Sequence, residues 1–132
     1  MPQLGFMRHM APKVLAGTKP FTLRNLRLDG RDPKVGQTLY MFTDLRQETC
    51  KKFAEKPCRF AATVKLSVRS IKIPGLGEVK TTAQLKVFSQ LDGFDTHAEF
   101  LKYHHIRAAG DIKTMRIIAW VTRDELKALI GL

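Results

Sequence analysis

The segment from Lys19 to Arg24 places three reactive or charged side chains at Lys-x-x-Thr-x-Arg spacing. A threonine hydroxyl becomes a nucleophile when a base removes its proton, and a lysine can be that base if burial or a neighbouring cation lowers its pKa. Arg24 is such a cation, and Thr22 and Arg24 would point to one face of a β-strand. The spacing is also compatible with binding alone, in which Lys19 and Arg24 contact phosphates and Thr22 packs or hydrogen-bonds.

Histidines and cysteines offer weaker candidates for a site. Adjacent residues on a helix point about 100° apart, so His97, His104 and His105 are expected to be solvated or to cap a helix rather than to share a metal ion. Cys50 and Cys58 lack the close spacing of a zinc pair or a redox motif, so two ordinary thiols are expected. The sequence therefore predicts neither a metal nor a cofactor.

The net charge points to a polyanionic partner. The chain has 23 Lys and Arg against 12 Asp and Glu, which gives a net charge of +11, and nucleic acid is the common partner of such proteins. Residues 91–132 hold six of each sign, so the excess comes from the first ninety residues. RNA binding is predicted, without a distinction from DNA. The candidate contacts are Arg8, Lys13, Lys19, Arg24, Arg27, Arg46, Lys51, Lys52, Arg59, Lys65, Arg69 and Lys72.

An aromatic side chain could add base stacking to these charges. Tyr40 and Phe42 share one face of a predicted strand and would either stack a base beside Arg24 or belong to the core. Two other classes of function stay open. A metal-independent ribonuclease would use lysine, tyrosine and arginine side chains, and a protein-interaction module would dock its basic face on an acidic protein.

Length and composition limit the architecture and the compartment. The 132 residues suit one domain, residues 1–132, and 44% hydrophobic residues with 27% charged residues is typical of a globular chain. No window approaches the ~18 apolar residues of a membrane span. Arg8 and His9 interrupt the stretch where a secretory signal would be apolar. A cytoplasmic protein is therefore expected, with its oligomeric state undetermined.

Hydropathy patterns predict short strands and few helices. Alternating apolar residues or β-branched and aromatic content predict strands, and caps with helical spacing predict helices. Thr96 or Asp95 would cap the second predicted helix, with Glu99 completing a capping box, and Thr122 with Glu125 would begin the last helix. The predicted strands are 21–24, 38–43, 62–68, 78–88 and 112–121, with a bulge at 70–71; the predicted helices are 10–16, 94–101 and 124–130, and 44–57 is an irregular polar segment.

This order predicts an α+β fold. Short antiparallel strands with one long hairpin favour a small β-barrel with flanking helices, because closure removes exposed edges. A doubly wound parallel sheet would need alternating helical crossovers, which the pattern lacks. The predicted core comprises Val14, Leu15, Leu23, Leu39, Val64, Leu66, Phe94, Leu101, Ile117 and Trp120.

Four segments in order resemble the ASCH domain family, a branch of the PUA-like superfamily. The signature-like segment is 14–24, VLAGTKPFTLR, followed by 35–43, VGQTLYMFT. The basic stretch 43–50, TDLRQETC, and the helix start 92–101, DGFDTHAEFL, complete the set. The resemblance implies a single PUA-like barrel with a basic cleft that binds RNA or nucleotides.

The resemblance also implies a chemistry, because some compact bacterial members of the family are amidohydrolases that remove acetyl groups from acetylated cytidine. Their catalytic lysine and threonine match Lys19 and Thr22, and their acid falls near Asp92. Asp92 would then relay a proton while Arg24 orients the substrate. Two positions depart from the family: Pro20 replaces a threonine, and Asp92 is one methylene shorter than the family's glutamate.

Overall fold

The computed structural model describes residues 2–132 and has eight strands and four helices in that range. The α+β class is therefore confirmed. The elements in chain order are β1 Gln3–Phe6, α1 Ala11–Leu15, β2 Phe21–Asn25, β3 Thr38–Thr43, β4 Lys51–Pro57, β5 Phe60–Leu66, β6 Ile71–Ile73, β7 Gly77–Val79, α2 Thr82–Leu91, α3 His97–Tyr103, β8 Lys113–Ala119 and α4 Arg123–Ile130.

The strands pair into two sheets. The smaller sheet has the order β1-β3-β4, with β1 parallel to β3, and the larger sheet has the order β2-β8-β5-β6-β7 with antiparallel pairs throughout. Within residues 2–132 the backbone ladders do not join the two sheets into one closed ring. The barrel expected from the sequence therefore stays a prediction.

Strand β8 lies at the centre of the packing, because its alternate side chains point to opposite faces. Ile117 joins a cluster that packs the larger sheet against α2, α3 and α4, where Phe88 and Phe100 are fully buried. Ile118 points the other way and packs with Leu39 and Met41 of the smaller sheet. The molecule thus has a layer of helices, the five-stranded sheet and the three-stranded sheet, with a core on each side of β8.

Most of the predicted core is buried, but Leu15 is not. Phe94 and Leu101 are half-buried at the edge of the core, whereas Leu15 is 61% exposed, so its place in the core was a wrong prediction. The reason is helix geometry. Adjacent residues on α1 point about 100° apart, and Val14 takes the inward position with 1% exposure.

Residues 78–88 were predicted as a strand and are mostly helix, which is the largest correction. The strand β7 ends at Val79, and α2 begins after Thr81, whose hydroxyl accepts the Gln84 N–H while the Gln84 side chain accepts the Thr81 N–H. This reciprocal capping box satisfies two otherwise unpaired donors. Leu85 and Phe88, three residues apart, then share the buried face of the helix.

Two strands were missed at the edges of the smaller sheet. Strand β4 occupies part of the segment expected to be irregular, and its many charged residues are typical of an edge strand. Strand β1 pairs in parallel with β3, a long-range contact that local patterns do not reveal. The caps of the last two helices were predicted correctly, since Thr96 accepts the Glu99 N–H and Thr122 accepts the Glu125 N–H. The longest helix in the described range, α2, has ten residues, and none is long and apolar enough to span a membrane.

Two leucine variants test this packing. Leu39 is fully buried between the sheets, so Leu39→Ala should lower the free energy of unfolding by about 2–5 kcal/mol through lost burial and a residual cavity. The matched control Leu15→Ala removes the same atoms from the surface and should change it by about 0.5 kcal/mol or less. Urea denaturation measures both. Equal losses at the two positions would contradict the packing.

Candidate functional site

Strand β2 positions Thr22 and Arg24 on one face, as the sequence predicted. Phe21 and Leu23 point to the helix side and join the core, so Thr22 and Arg24 point to the opposite side. The strand begins directly after Pro20, which has no N–H to contribute, but its carbonyl accepts the Trp120 N–H at 3.1 Å. Pro20 therefore extends the sheet pairing up to the reactive segment.

Lys19 is buried at the start of this strand. Its side chain is 4% exposed, and Nζ donates to the Asp92 carboxylate Oδ1 at 2.9 Å and to the Asp92 carbonyl at 2.6 Å. Burial lowers the pKa of Lys19, the Asp92 carboxylate opposes this, and the charges of Arg24 and Lys13 lower the pKa further. The net direction is downward, which makes the neutral amine more accessible than in an exposed lysine.

Asp92 is held at the C-terminal end of α2. Gly93 follows it with φ of +104°, and a Cβ there would come within 2.5 Å of the Met10 Sδ, so the position requires glycine. The Lys13 Nζ donates to the Gly93 carbonyl at 2.6 Å. Lys13 and Lys19 thus supply positive charge and donors to the carbonyl end of α2, where both are favourable.

His104 completes the cluster, although the sequence did not predict it as a site residue. It ends α3 as a cap residue but is only 3% exposed rather than solvated. Its Nε2 lies 3.0 Å from the Asp92 Oδ2, so the two carboxylate oxygens contact different partners, Lys19 and His104. The signal for this burial was the spacing of four residues from Phe100, which places both side chains on one face of the helix; the rings are 4.7 Å apart.

Two adjoining cavities open at this cluster. The smaller, about 90 Å³, is lined by all four polar residues of the predicted site together with His104. The larger, about 680 Å³, shares Leu23, Arg24, Phe94, Tyr103 and His104 with it. The smaller cavity matches the liquid volume of about three waters, and the larger one is in the range of small-molecule sites. The polar residues of the smaller cavity are Lys19, Thr22, Arg24 and Asp92.

Arg24 joins the two cavities. Its guanidinium donates to the Gly5 carbonyl and lies over the Phe6 ring, with 5.0 Å from Cζ to the ring centroid. Burial lowers the pKa of Arg24, while Tyr103 and Asp92 oppose that shift, and an arginine remains charged in any case. A fixed cation beside Lys19 and Thr22 can bind an anion or polarise a carbonyl.

The other predicted contacts are spread over the surface. Tyr40 lies on the face of β3 opposite Leu39 and Met41 and lines neither cavity, so the stacking of a base on Tyr40 beside Arg24 stays a prediction. Arg8 pairs with Asp44, Arg27 with Asp29 and Lys52 with Glu55. Arg46, Lys51 and Arg69 are exposed.

The remaining histidine and the cysteines lie outside the cluster. His97 is half-buried, with Nδ1 3.2 Å from the Ser89 hydroxyl and Nε2 2.9 Å from the Val68 carbonyl. Cys50 is exposed and Cys58 is buried, and neither is in a disulfide. In the part of the chain that the structure describes, no group of three or more His, Cys, Asp or Glu side chains is placed to hold a metal ion.

Comparison with protein-family models, with curated proteins and with solved structures finds no match for this chain.

A charge-neutralising variant tests the buried ion pair. Asp92→Asn keeps the shape of the side chain but leaves the Lys19 ammonium without its counter-charge, which should lower the free energy of unfolding by about 3–5 kcal/mol. The control Glu55→Gln breaks the exposed pair with Lys52, where a loss below about 1 kcal/mol is expected. Urea denaturation near neutral pH gives both values. Losses of similar size would mean that the Lys19–Asp92 pair is not buried in solution.

Proposed function

We propose that this protein hydrolyses an amide on an acylated pyrimidine nucleoside of the acetylcytidine type. The observation that carries the proposal is that Lys19, Thr22 and Asp92 line one small cavity although Asp92 is 73 residues from Lys19. The resemblance of segment 14–24 to the ASCH signature supports the same chemistry.

The proposed reaction has two steps. Neutral Lys19 takes the proton of the Thr22 hydroxyl as Oγ1 attacks the acyl carbon. The Lys19 ammonium then gives this proton to the departing exocyclic amine as the C–N bond breaks, which makes Lys19 neutral again. Water then attacks the acyl-threonine ester, with Lys19 as base, and releases the carboxylic acid and free Thr22. Asp92 orients Lys19, and Arg24 stabilises negative charge on the carbonyl oxygen.

Cavity sizes support a substrate with a small acyl group on a larger body. The smaller cavity suits the few heavy atoms of an acetyl amide, whereas a nucleoside needs the larger one. Tyr103 is 51% exposed and lines both cavities, so its ring offers a stacking surface for a base. The acyl group would therefore enter beside Thr22 while the nucleoside remains in the wider cleft.

The same proposal extends to fold family and compartment. We place the chain in the ASCH branch, with the two sheets that pack through Ile118 forming the wall of a PUA-like barrel. Two cysteines that form no disulfide support a reducing, cytoplasmic compartment.

RNA binding without catalysis is the second candidate. The net charge of +11 favours it. The Lys19 side chain is only 4% exposed, and its ammonium already donates to the Asp92 carbonyl and carboxylate, which argues against a phosphate contact by that lysine. Incubation with labelled RNA separates both candidates from a ribonuclease, which would cut the strand.

Turnover of acetylcytidine tests the roles of the cluster. Thr22→Ala and Lys19→Met should each lower kcat/KM by about 10² or more, because each removes a group that acts in the transition state. Thr22→Ser keeps the hydroxyl and should retain activity. Lys13→Met, compared with the wild type at the pH of the activity plateau, is a matched control, since Lys13 also donates to the end of α2 but does not line the small cavity. Chromatography follows the release of cytidine; no turnover by the wild type, or full turnover by Thr22→Ala, would refute the mechanism.

The pH profile tests the base. Lys19 must be neutral to act as the base, and its pKa is lowered. Therefore kcat/KM should rise with pH, and the midpoint of this rise should lie below the ordinary lysine pKa of 10.5. The positive charge of Lys13 contributes to this lowering, so Lys13→Met should move the midpoint to higher pH while preserving the plateau rate. A midpoint that does not move would show that another group limits the rate.

A further inference from the structure

Cross-strand pairing on the larger sheet places like charges opposite each other. Arg24 of β2 pairs in register with Arg116 of β8, and Lys65 of β5 pairs with Lys72 of β6. These side chains point away from the helices, because their neighbours Leu23, Ile117, Leu66 and Ile71 are buried in the helix-side core. The four residues Arg24, Arg116, Lys65 and Lys72 are here named the cation face.

Like charges directly opposite one another destabilise a sheet, since paired residues have Cβ atoms only about 4.5–5.5 Å apart. The cation face contains two such pairs on neighbouring rows, and Thr114 of β8, opposite Lys65, links the rows. Such an arrangement becomes favourable when an anion lies across it. Its two rows are two residues apart along the strands, or about 7 Å.

Unpaired donors on the two arginines add a separate observation. The Nε atoms of Arg24 and Arg116 are both buried and have no hydrogen-bond partner within residues 2–132. The guanidinium groups are otherwise only partly satisfied, by the Gly5 carbonyl and by the Thr63 hydroxyl at 3.5 Å. Buried donors without partners are rare in proteins and call for a ligand or an ordered water.

One carboxylate lies at the far edge of this surface. Glu78 pairs in register with Lys72, accepts a hydrogen bond from the Ser70 hydroxyl and lies 4.0 Å from the Lys80 ammonium. It therefore offsets charge at the β7 edge and leaves the Arg24–Arg116 row, which is next to Thr22, without a carboxylate opposite.

The side chains on this surface fit a phosphate backbone better than a protein partner. The exposed positions between the cations are Thr63 and Thr114, whereas protein interfaces have an apolar and aromatic centre. Nucleic-acid interfaces are more polar and strongly positive, and threonine hydroxyls and arginines are common phosphate donors.

We propose that the cation face binds the phosphate backbone of an RNA strand and so presents a modified base, within that strand, to the cavity beside Thr22. This inference rests on the proposed amide hydrolysis and specifies its substrate as a nucleotide within RNA rather than a free nucleoside. Arg24 belongs to both surfaces, because it lines the small cavity and begins the cation face.

Fluorescence anisotropy with a labelled RNA of about 12 nucleotides tests the surface. The variant Lys65→Gln/Lys72→Gln removes two exposed cations of the face, and the control Lys86→Gln/Arg123→Gln removes two exposed cations on the helix layer. The slope of log affinity against log salt should become shallower by about 1.4 in the first variant, at ~0.7 per phosphate contact, and should be unchanged in the control. The melting temperature of Lys65→Gln/Lys72→Gln should equal or exceed that of the wild type, because this variant removes a like-charge pair.

Three results would each overturn the inference. The salt slopes of the two variants could be equal, the wild type could fail to bind RNA, or polyglutamate at the same charge concentration could displace the RNA. A second comparison links the surface to catalysis: the ratio of kcat/KM for an acetylated oligonucleotide to that for acetylcytidine should exceed one and fall in Lys65→Gln/Lys72→Gln. Failure of the wild type to hydrolyse either substrate would refute the proposed reaction, whereas the anisotropy result would still decide the binding surface. Hydrolysis of the nucleoside without RNA binding would refute the surface alone.

Discussion

The ammonium group of Lys19 and the carboxylate of Asp92 lie 2.9 Å apart with their side chains 4% exposed, and the surrounding elements are arranged around this contact. Removing both charges from water is costly unless their geometry and remaining hydrogen bonds are nearly complete. The Asp92 carbonyl and His104 supply those bonds. The end of α2, the start of β2 and the end of α3 must therefore meet at one point, and Gly93 allows the chain to turn there.

A buried ion pair of this kind is weak evidence for stability, since packed apolar residues often serve a core at least as well. Its location is more informative. The pair lies beside a cavity, next to a buried threonine hydroxyl and a fixed arginine, where desolvation changes the proton affinity of Lys19. Titratable groups whose pKa is shifted by burial and by a specific charge partner, and which lie in a cleft, are candidates for functional sites. The proposed role of Lys19 as the base for Thr22 would account for the energetic cost of the pair.

Two groups of basic residues lie in different physical surroundings. Arg8, Arg27 and Lys52 each pair with a nearby carboxylate on the surface, and such pairs contribute little beyond solubility. The cation face instead holds like charges in register on a rigid sheet. A count of basic residues cannot separate these two groups, because the separation depends on strand register and on which face of the sheet the helices cover.

Local sequence patterns predicted the features that depend on neighbouring residues. The shared face of Thr22 and Arg24 follows from the two-residue period of a strand, and the caps at Thr96 and Thr122 follow from short-range hydrogen bonds. The contact of His104 with Asp92 depends on how α2 packs against α3, which no spacing reveals. Helix α2 itself was missed although its Thr-x-x-Gln capping pattern was present, because the apolar residues after Gly77 were interpreted as the second strand of a hairpin.

A crystal structure of the protein with cytidine, the expected product, tests the central claim most directly. The account predicts that the base lies in the larger cavity against Tyr103, with its exocyclic amine pointing into the smaller cavity and within about 3.2 Å of the Thr22 Oγ1 or the Lys19 Nζ. Cytidine bound elsewhere, or bound with its exocyclic amine directed to solvent, would contradict the assignment of this cluster as the reactive centre.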